Sequence, residues 1–81
     1  MTAHIYVTLK KGVLDPQGST VQRALAQMGY ADVASVRIGK FLEVKLSSTD
    51  EAAARREIEE MCAKLFVNPN IEEYRYELER A

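Results

Sequence analysis

Apolar and polar residues alternate strictly at the start of the chain: Ala3, Ile5, Val7 and Leu9 interleave with His4, Tyr6, Thr8 and Lys10. A period of two belongs to a strand with one buried face, so the pattern predicts a strand that ends or bends at Gly12. The spacing then lengthens. Val21, Ala24, Leu25 and Met28 recur at three and four residues, which predicts a helix with one apolar face. Asp15-Pro16 is a good start for it. An aspartate accepts from an orphan backbone N–H and suits the positive helix end, and proline at the first helical position loses no hydrogen bond. Gly29 is expected to close the helix as a left-handed cap. Thr20 is an alternative cap, which would leave Asp15 to Ser19 as a loop.

Val33 to Ser47 reads as two strands around Gly39-Lys40, with Val36 and Ile38 before the turn and Leu42, Val44 and Leu46 after it. A two-residue turn would pair Ile38 with Phe41 and Val36 with Glu43, setting the apolar residues of the two strands on opposite faces. An odd loop, a bulge, or a sheet buried on both faces each removes the conflict, and the last of these means an oligomer. Ser48 with Glu51 three residues on has the form of a capping box. Ala54, Ile58, Met61, Cys62 and Leu65 line one face of the helix that follows. Arg55–Glu59, Arg56–Glu60 and Glu60–Lys64 sit at i,i+4 on the other, each contributing about 0.2–0.5 kcal/mol. Asn68-Pro69 stops that helix, and Tyr74, Tyr76 and Leu78 alternate with charged residues in a last strand. The order strand, helix, strand, strand, helix, strand predicts an α+β, ferredoxin-like βαββαβ sandwich, an antiparallel sheet with two helices on one face. The other face, with Tyr6 and Phe41, then meets water or a second copy, and the aromatic pair favours the copy.

Eighty-one residues make one domain, 1–81. A chain this short buries only about 60–65% of the surface its unfolded form exposes, so self-association adds much to its stability. With 11 basic and 12 acidic residues there is no basic stripe, which argues against a nucleic-acid partner. The single cysteine, Cys62, excludes an internal disulfide framework and suits a reducing compartment. No stretch approaches the roughly 20 apolar residues of a bilayer span, and the first residues lack a secretory pattern. The reading is a cytoplasmic protein with no membrane partner.

The chain offers little chemistry. His4, the only histidine, lies in an alternating strand and reads as a surface residue. Cys62 falls among apolar helix positions, as a buried inert thiol does. No Cys/His pair has metal-ligand spacing, and the four glycines form no phosphate loop. Two basic clusters remain. Lys10-Lys11 precede a helix N-terminus, a place that attracts anions, although the acidic cap Asp15 opposes one. Arg37 and Lys40 flank Gly39, either as ordinary turn neighbours or as a cationic tip that reaches an acidic partner.

Three blocks in order span almost the whole chain: Val7-x-Leu9-Lys10-x-Gly12-Val13-Leu14-Asp15-Pro16-Gln17-Gly18, Val36-Arg37-x-Gly39-Lys40, and Cys62-x-Lys64-Leu65-x-x-Asn68-Pro69-x-Ile71-Glu72-x-Tyr74. In these the sequence resembles the PurS family, the small subunit of phosphoribosylformylglycinamidine synthase in purine biosynthesis. Phe66 and Val67 are mild departures. The resemblance implies a non-catalytic accessory subunit. It would bridge a glutaminase (PurQ-like) and an ATP-dependent synthetase (PurL-like) subunit and support ammonia transfer between them. It also implies no catalytic, cofactor or metal site in this chain, with ATP, Mg and glutamine used elsewhere in the complex. Under it, Lys10, Gln17, Arg37 and Lys40 are the candidate partner contacts. Gly12, Asp15, Pro16, Gly18, Gly39, Asn68 and Pro69 would act by shaping the backbone. Self-association as a dimer or tetramer is expected. The main alternative is a free-standing ligand-sensing module, and a small enzyme acting alone would need His4 or Cys62.

Overall fold

The alternating first segment forms β1 (Thr2–Leu9), the central strand of a three-stranded antiparallel sheet. We describe it from a computed structural model covering residues 1–80. α1 (Pro16–Gln27) follows, then β2 (Lys40–Lys45), α2 (Glu51–Met61) with one π turn at its end (Cys62–Phe66), and β3 (Glu72–Glu79). The sheet order is β2-β1-β3. Ile5 stands opposite Leu42 and Tyr76, and Ala3 opposite Val44 and Leu78. Directly paired residues share a face, so these six form one apolar surface. α2 lays Ala54, Ile58 and Cys62 toward it, and all three are fully buried together with Ala3 and Ile5. Val7 and Val67 complete a small core, with Leu42, Val44, Met61, Phe66, Tyr76 and Leu78 packed at its margin.

The α+β class, the antiparallel sheet and the two helices agree with the sequence pattern. Three details differ. The strand expected over Val33–Ile38 does not form; residues 33–39 are irregular. Their backbone is engaged by α1 instead: Gln22 Nε2 donates to the carbonyls of Val33 (3.4 Å) and Ala34 (2.9 Å). With no hairpin at Gly39-Lys40, the conflict of faces disappears. Second, only α2 covers the sheet. No α1 side chain enters the core, and Gly18 is its only buried residue. The Cα positions extend 49 × 28 × 14 Å. An eight-residue strand spans about 27 Å and a twelve-residue helix about 18 Å. The long axis is therefore that of sheet and α1 laid nearly end to end, and α1 is an arm.

Third, α2 is capped by Asp50, whose side chain accepts from Ala52 N (3.0 Å), not by Ser48. Ser48 Oγ accepts from Asp50 N instead (3.2 Å), which positions the aspartate. The π turn, closed by Val67 N donating to Cys62 O (3.0 Å), inserts one residue into the helical phase. Leu65 is thereby turned out, 79% exposed, and Phe66 takes its place against the core. Of the three expected i,i+4 pairs, Glu60–Lys64 forms, at 3.7 Å. Arg55 and Glu59 both turn to Tyr76: its hydroxyl donates to Glu59 (2.8 Å) and its ring lies under the Arg55 guanidinium (5.9 Å).

Candidate functional site

Two segments join the arm to the sheet, residues 10–15 going out and 36–39 coming back, and they are tied together at this neck. The outgoing segment begins with a turn closed by Val13 N donating to Lys10 O (3.1 Å). Gly12 takes φ +87° there, a backbone region costly for any residue with a Cβ. Asp15 then does two jobs. One carboxylate oxygen accepts from Gly18 N (2.9 Å) and caps α1; the other accepts from Ile38 N (2.8 Å) in the returning segment. Pro16 stands in the first turn, as expected. Arg37 reaches back across the neck and donates to the carbonyls of Leu9 (2.7 Å) and Lys10 (3.0 Å). Gly18 and Gly39 are the close approaches. A Cβ on Gly18 would run into the Val36 carbonyl oxygen, and one on Gly39 into the Val7 carbonyl oxygen.

The Asp15 carboxyl is held below its ordinary value, chiefly by the Gly18 N–H, then by the Ile38 N–H, with the Arg37 charge adding to both against a smaller opposing effect of burial. A carboxyl with a depressed folded pKa stabilises the folded neck above its unfolded pKa of about 3.9, and loses that contribution as pH falls through the folded value. Protection of α1 amides in hydrogen exchange should therefore drop as pH falls below about 4. Asp15→Asn should remove this pH dependence and lower protection at neutral pH, because its amide nitrogen cannot accept the second bond. Unchanged acid sensitivity in that variant would place the titration elsewhere.

Beside the neck lies an open depression of about 310 Å³, lined by Thr8, Asp15, Gln17, Gly39, Lys40 and Glu72 among others. Two of the four candidate partner contacts, Gln17 and Lys40, meet there. Neither side chain has a hydrogen bond or ion pair among the described residues, so both are free for a partner. Lys10 is exposed on the strand end. Arg37 is not free in the same sense, since its guanidinium is spent on backbone. Asn68 and Pro69 lie at the same end of the sheet. Asn68 O accepts from Glu72 N (2.7 Å), its N–H donates to Glu72 Oε1 (2.8 Å), and Ile71 O accepts from Lys10 N (2.8 Å). Glu72 stands in the third block of the resemblance but was given no role from the sequence. It reads there as one more solvated acid, and nothing local marks it as the residue that seals this turn.

The free sheet face is more polar than its aromatic residues suggested. Tyr6 and Phe41 do meet, with ring centroids 5.2 Å apart. His4 stacks on Phe41 (5.8 Å) and lies 2.9 Å from Glu79, and the Arg75 guanidinium sits 4.0 Å above the Tyr6 ring. Cys62 is buried, and desolvation, with the Glu59 charge, pushes its thiol above the ordinary value, so the nucleophilic thiolate is disfavoured. No group of three or more His, Cys, Asp or Glu residues is placed to hold a metal ion among the described residues. No helix there is long and apolar enough to cross a membrane.

The family model for PurS, phosphoribosylformylglycinamidine (FGAM) synthase, matches residues 2–80. The chain belongs to the PurS family. The PurS subunit of Bacillus subtilis is 51% identical over 75 residues, 93% of this chain and 88% of that one. The PurS subunit of Synechocystis is 49% identical over 74 residues, 91% and 74% of the respective chains. Among solved structures, Bacillus subtilis PurS superposes with a TM-score of 0.87 at 48% identity and 98% coverage of both chains. A chain in the PurLQS structure of Thermotoga maritima reaches 0.86 at 29% identity, covering 94% of this chain and 93% of its own length. The PurS likeness thus takes in sheet, neck and arm together.

Proposed function

We propose that this chain is the non-catalytic accessory subunit of FGAM synthase, an ATP-dependent C–N ligase complex of purine biosynthesis in the cytoplasm. It bridges the glutaminase and synthetase subunits and supports the passage of ammonia from one to the other. The observation that carries this reading is the match to a chain of the Thermotoga maritima PurLQS structure over nearly its full length. The match takes in 94% of this chain and 93% of that one. In this reading the chain binds no cofactor of its own; ATP, Mg and glutamine are handled by the larger subunits. Gln17, Lys40 and the exposed Lys10 supply polar contacts to them, and the chain also self-associates.

The role makes a specific kinetic demand. A bridge for ammonia matters when ammonia is made from glutamine and not when it is supplied from solution. Omitting the chain from a mixture of purified glutaminase and synthetase should therefore abolish glutamine-dependent FGAM formation. The rate with saturating ammonium salt should be largely kept. Full glutamine-dependent activity without the chain would show the reading to be wrong.

A further inference from the structure

Charge is unevenly divided along the chain. Residues 1–47 carry six Lys and Arg against three Asp and Glu, and residues 48–80 carry five against nine. The net charge of −1 thus hides a positive surplus on the part that builds the neck. Four of the cations stand at the neck itself: Lys10 and Lys11 going out, Arg37 and Lys40 coming back. The fold brings two carboxylates to them, and both are already occupied. Asp15 gives one oxygen to Gly18 N and the other to Ile38 N, and Glu72 gives Oε1 to Asn68 N. Glu73 pairs with Thr8 on the other face of the sheet. Lys10, Lys11 and Lys40 have no ion pair among the described residues.

The neck depression collects these free donors. Lys40 pairs with Val7 and Glu72 with Leu9, so all four share one sheet face where α1 begins. Val7, Leu9, Pro16 and Ile38 give apolar walls, and Lys40 and Gln17 bring an ammonium and an amide to them. The volume of about 310 Å³ has the size of a side-chain site, since a cavity of about 150 Å³ already holds benzene. Donors on apolar walls suit a carboxylate. A phosphate, at about −1.5 to −2 charges, would meet stronger repulsion from Asp15 and Glu72. The guanidinium whose fork fits phosphate oxygens, that of Arg37, is occupied by the Leu9 and Lys10 carbonyls. Lys10 and Lys11 lie outside the depression, so the positive surface is wider than one small ligand and matches a stretch of polypeptide.

We propose that the neck depression receives an acidic segment of a larger subunit of the complex, one carboxylate seated between Lys40 and Gln17 and others lying over Lys10 and Lys11. Opposite charges on two surfaces speed encounter and fix register, which suits a bridge that holds two proteins in one alignment. The inference rests on the accessory-subunit reading and gives the chemistry of its contact.

The test titrates the full chain into a fixed mixture of glutaminase and synthetase. It reads the concentration that gives half-maximal glutamine-dependent FGAM formation. Lys40→Glu sets like charges together and should raise that concentration at least about tenfold, with the maximal rate kept. Lys40→Arg keeps the charge and should stay within about threefold. Lys45→Glu makes the same charge change about 17 Å along β2, beyond the Debye length of about 8 Å, and should also stay within about threefold. In the assembled complex a carbodiimide should join Lys40, Lys10 or Lys11 through an amide bond to an Asp or Glu of the glutaminase or synthetase. Equal shifts for Lys40→Glu and Lys45→Glu overturn the proposal. So do amide bonds from these lysines to a second copy alone, or binding of inorganic phosphate by the isolated chain that Lys40→Gln abolishes. A wild type that stimulates the reaction beside an unshifted Lys40→Glu sinks this inference alone; a wild type that stimulates nothing sinks the accessory-subunit reading with it.

Discussion

Ile58→Ala should destabilise the isolated domain by about 2–5 kcal/mol, the range for deleting a buried isoleucine's branches and leaving a cavity. The residue is fully buried and lies at the centre of a core with few other members. A chain of this length has about 4–12 kcal/mol of stability in all, and each kcal/mol moves the melting midpoint by about 4–8 °C. The variant should therefore melt at least about 8 °C lower, taking about 2 kcal/mol at the low end of that scale. The comparison must be made at one protein concentration, because association contributes to apparent stability. Leu65→Ala is the informative partner. Apolar periodicity places Leu65 on the same face as Ile58, whereas the π turn places it in water. Its replacement should stay within about 0.5 kcal/mol in the isolated chain. If the two substitutions cost the same, the π turn does not set the phase, and Leu65 belongs to the core.

That pair shows where the sequence was legible and where it was not. β1, α2 and β3 were readable because each carries a pattern long enough to fix its own period. The start of α1 was readable because Asp15-Pro16 is a local device that works by geometry alone. What could not be read depends on contacts between distant residues. Val36 and Ile38 alternate like a strand, but two residues of alternation are also what a segment shows when it lies along a helix. Here Gln22 and Asp15 occupy the backbone groups that a strand partner would need. The place of α1 was misjudged for a related reason. Val21, Ala24 and Met28 do form an apolar stripe, and a stripe says that a cover exists without saying where. The cap of α2 shifted by two residues because Ser48 and Asp50 are both competent, and Ser48 spends its hydroxyl on Asp50.

The neck was legible in its parts and not in its plan. Gly12, Asp15, Pro16, Gly18 and Gly39 could each be assigned a backbone role, and each has one. That Asp15 and Arg37 bridge segments more than twenty residues apart follows only from the fold. It changes the meaning of Arg37, from a cation offered to a partner to the clasp that holds the arm at a set angle to the sheet. A bridging subunit benefits from such a clasp, because contacts at both ends of a 49 Å molecule act together only if its parts keep their relative positions.

Gly18→Ala should therefore cost more function than any surface substitution. Two effects oppose each other. In an exposed helix, alanine for glycine gains about 0.5–1 kcal/mol through lower backbone entropy. Against that, the new methyl meets the Val36 carbonyl oxygen, and stands 2.9 Å from Asp15 Oδ2 and 3.0 Å from the Val36 carbonyl carbon. These are backbone atoms and a doubly bonded cap, not the end of a flexible side chain, so they yield only if the returning segment lifts away. Overpacking of this kind costs about 1–3 kcal/mol, which outweighs the propensity gain. The loss falls on the arm, because no α1 side chain enters the core. Hydrogen exchange should show α1 amides deprotected while those of β1 and β3 stay slow. Glutamine-dependent FGAM formation should fall, with the ammonium-dependent rate kept. An arm that becomes more protected would mean that propensity wins, that the Gly18–Val36 approach is not tight in solution, and that the neck is held by Asp15 and Arg37 alone.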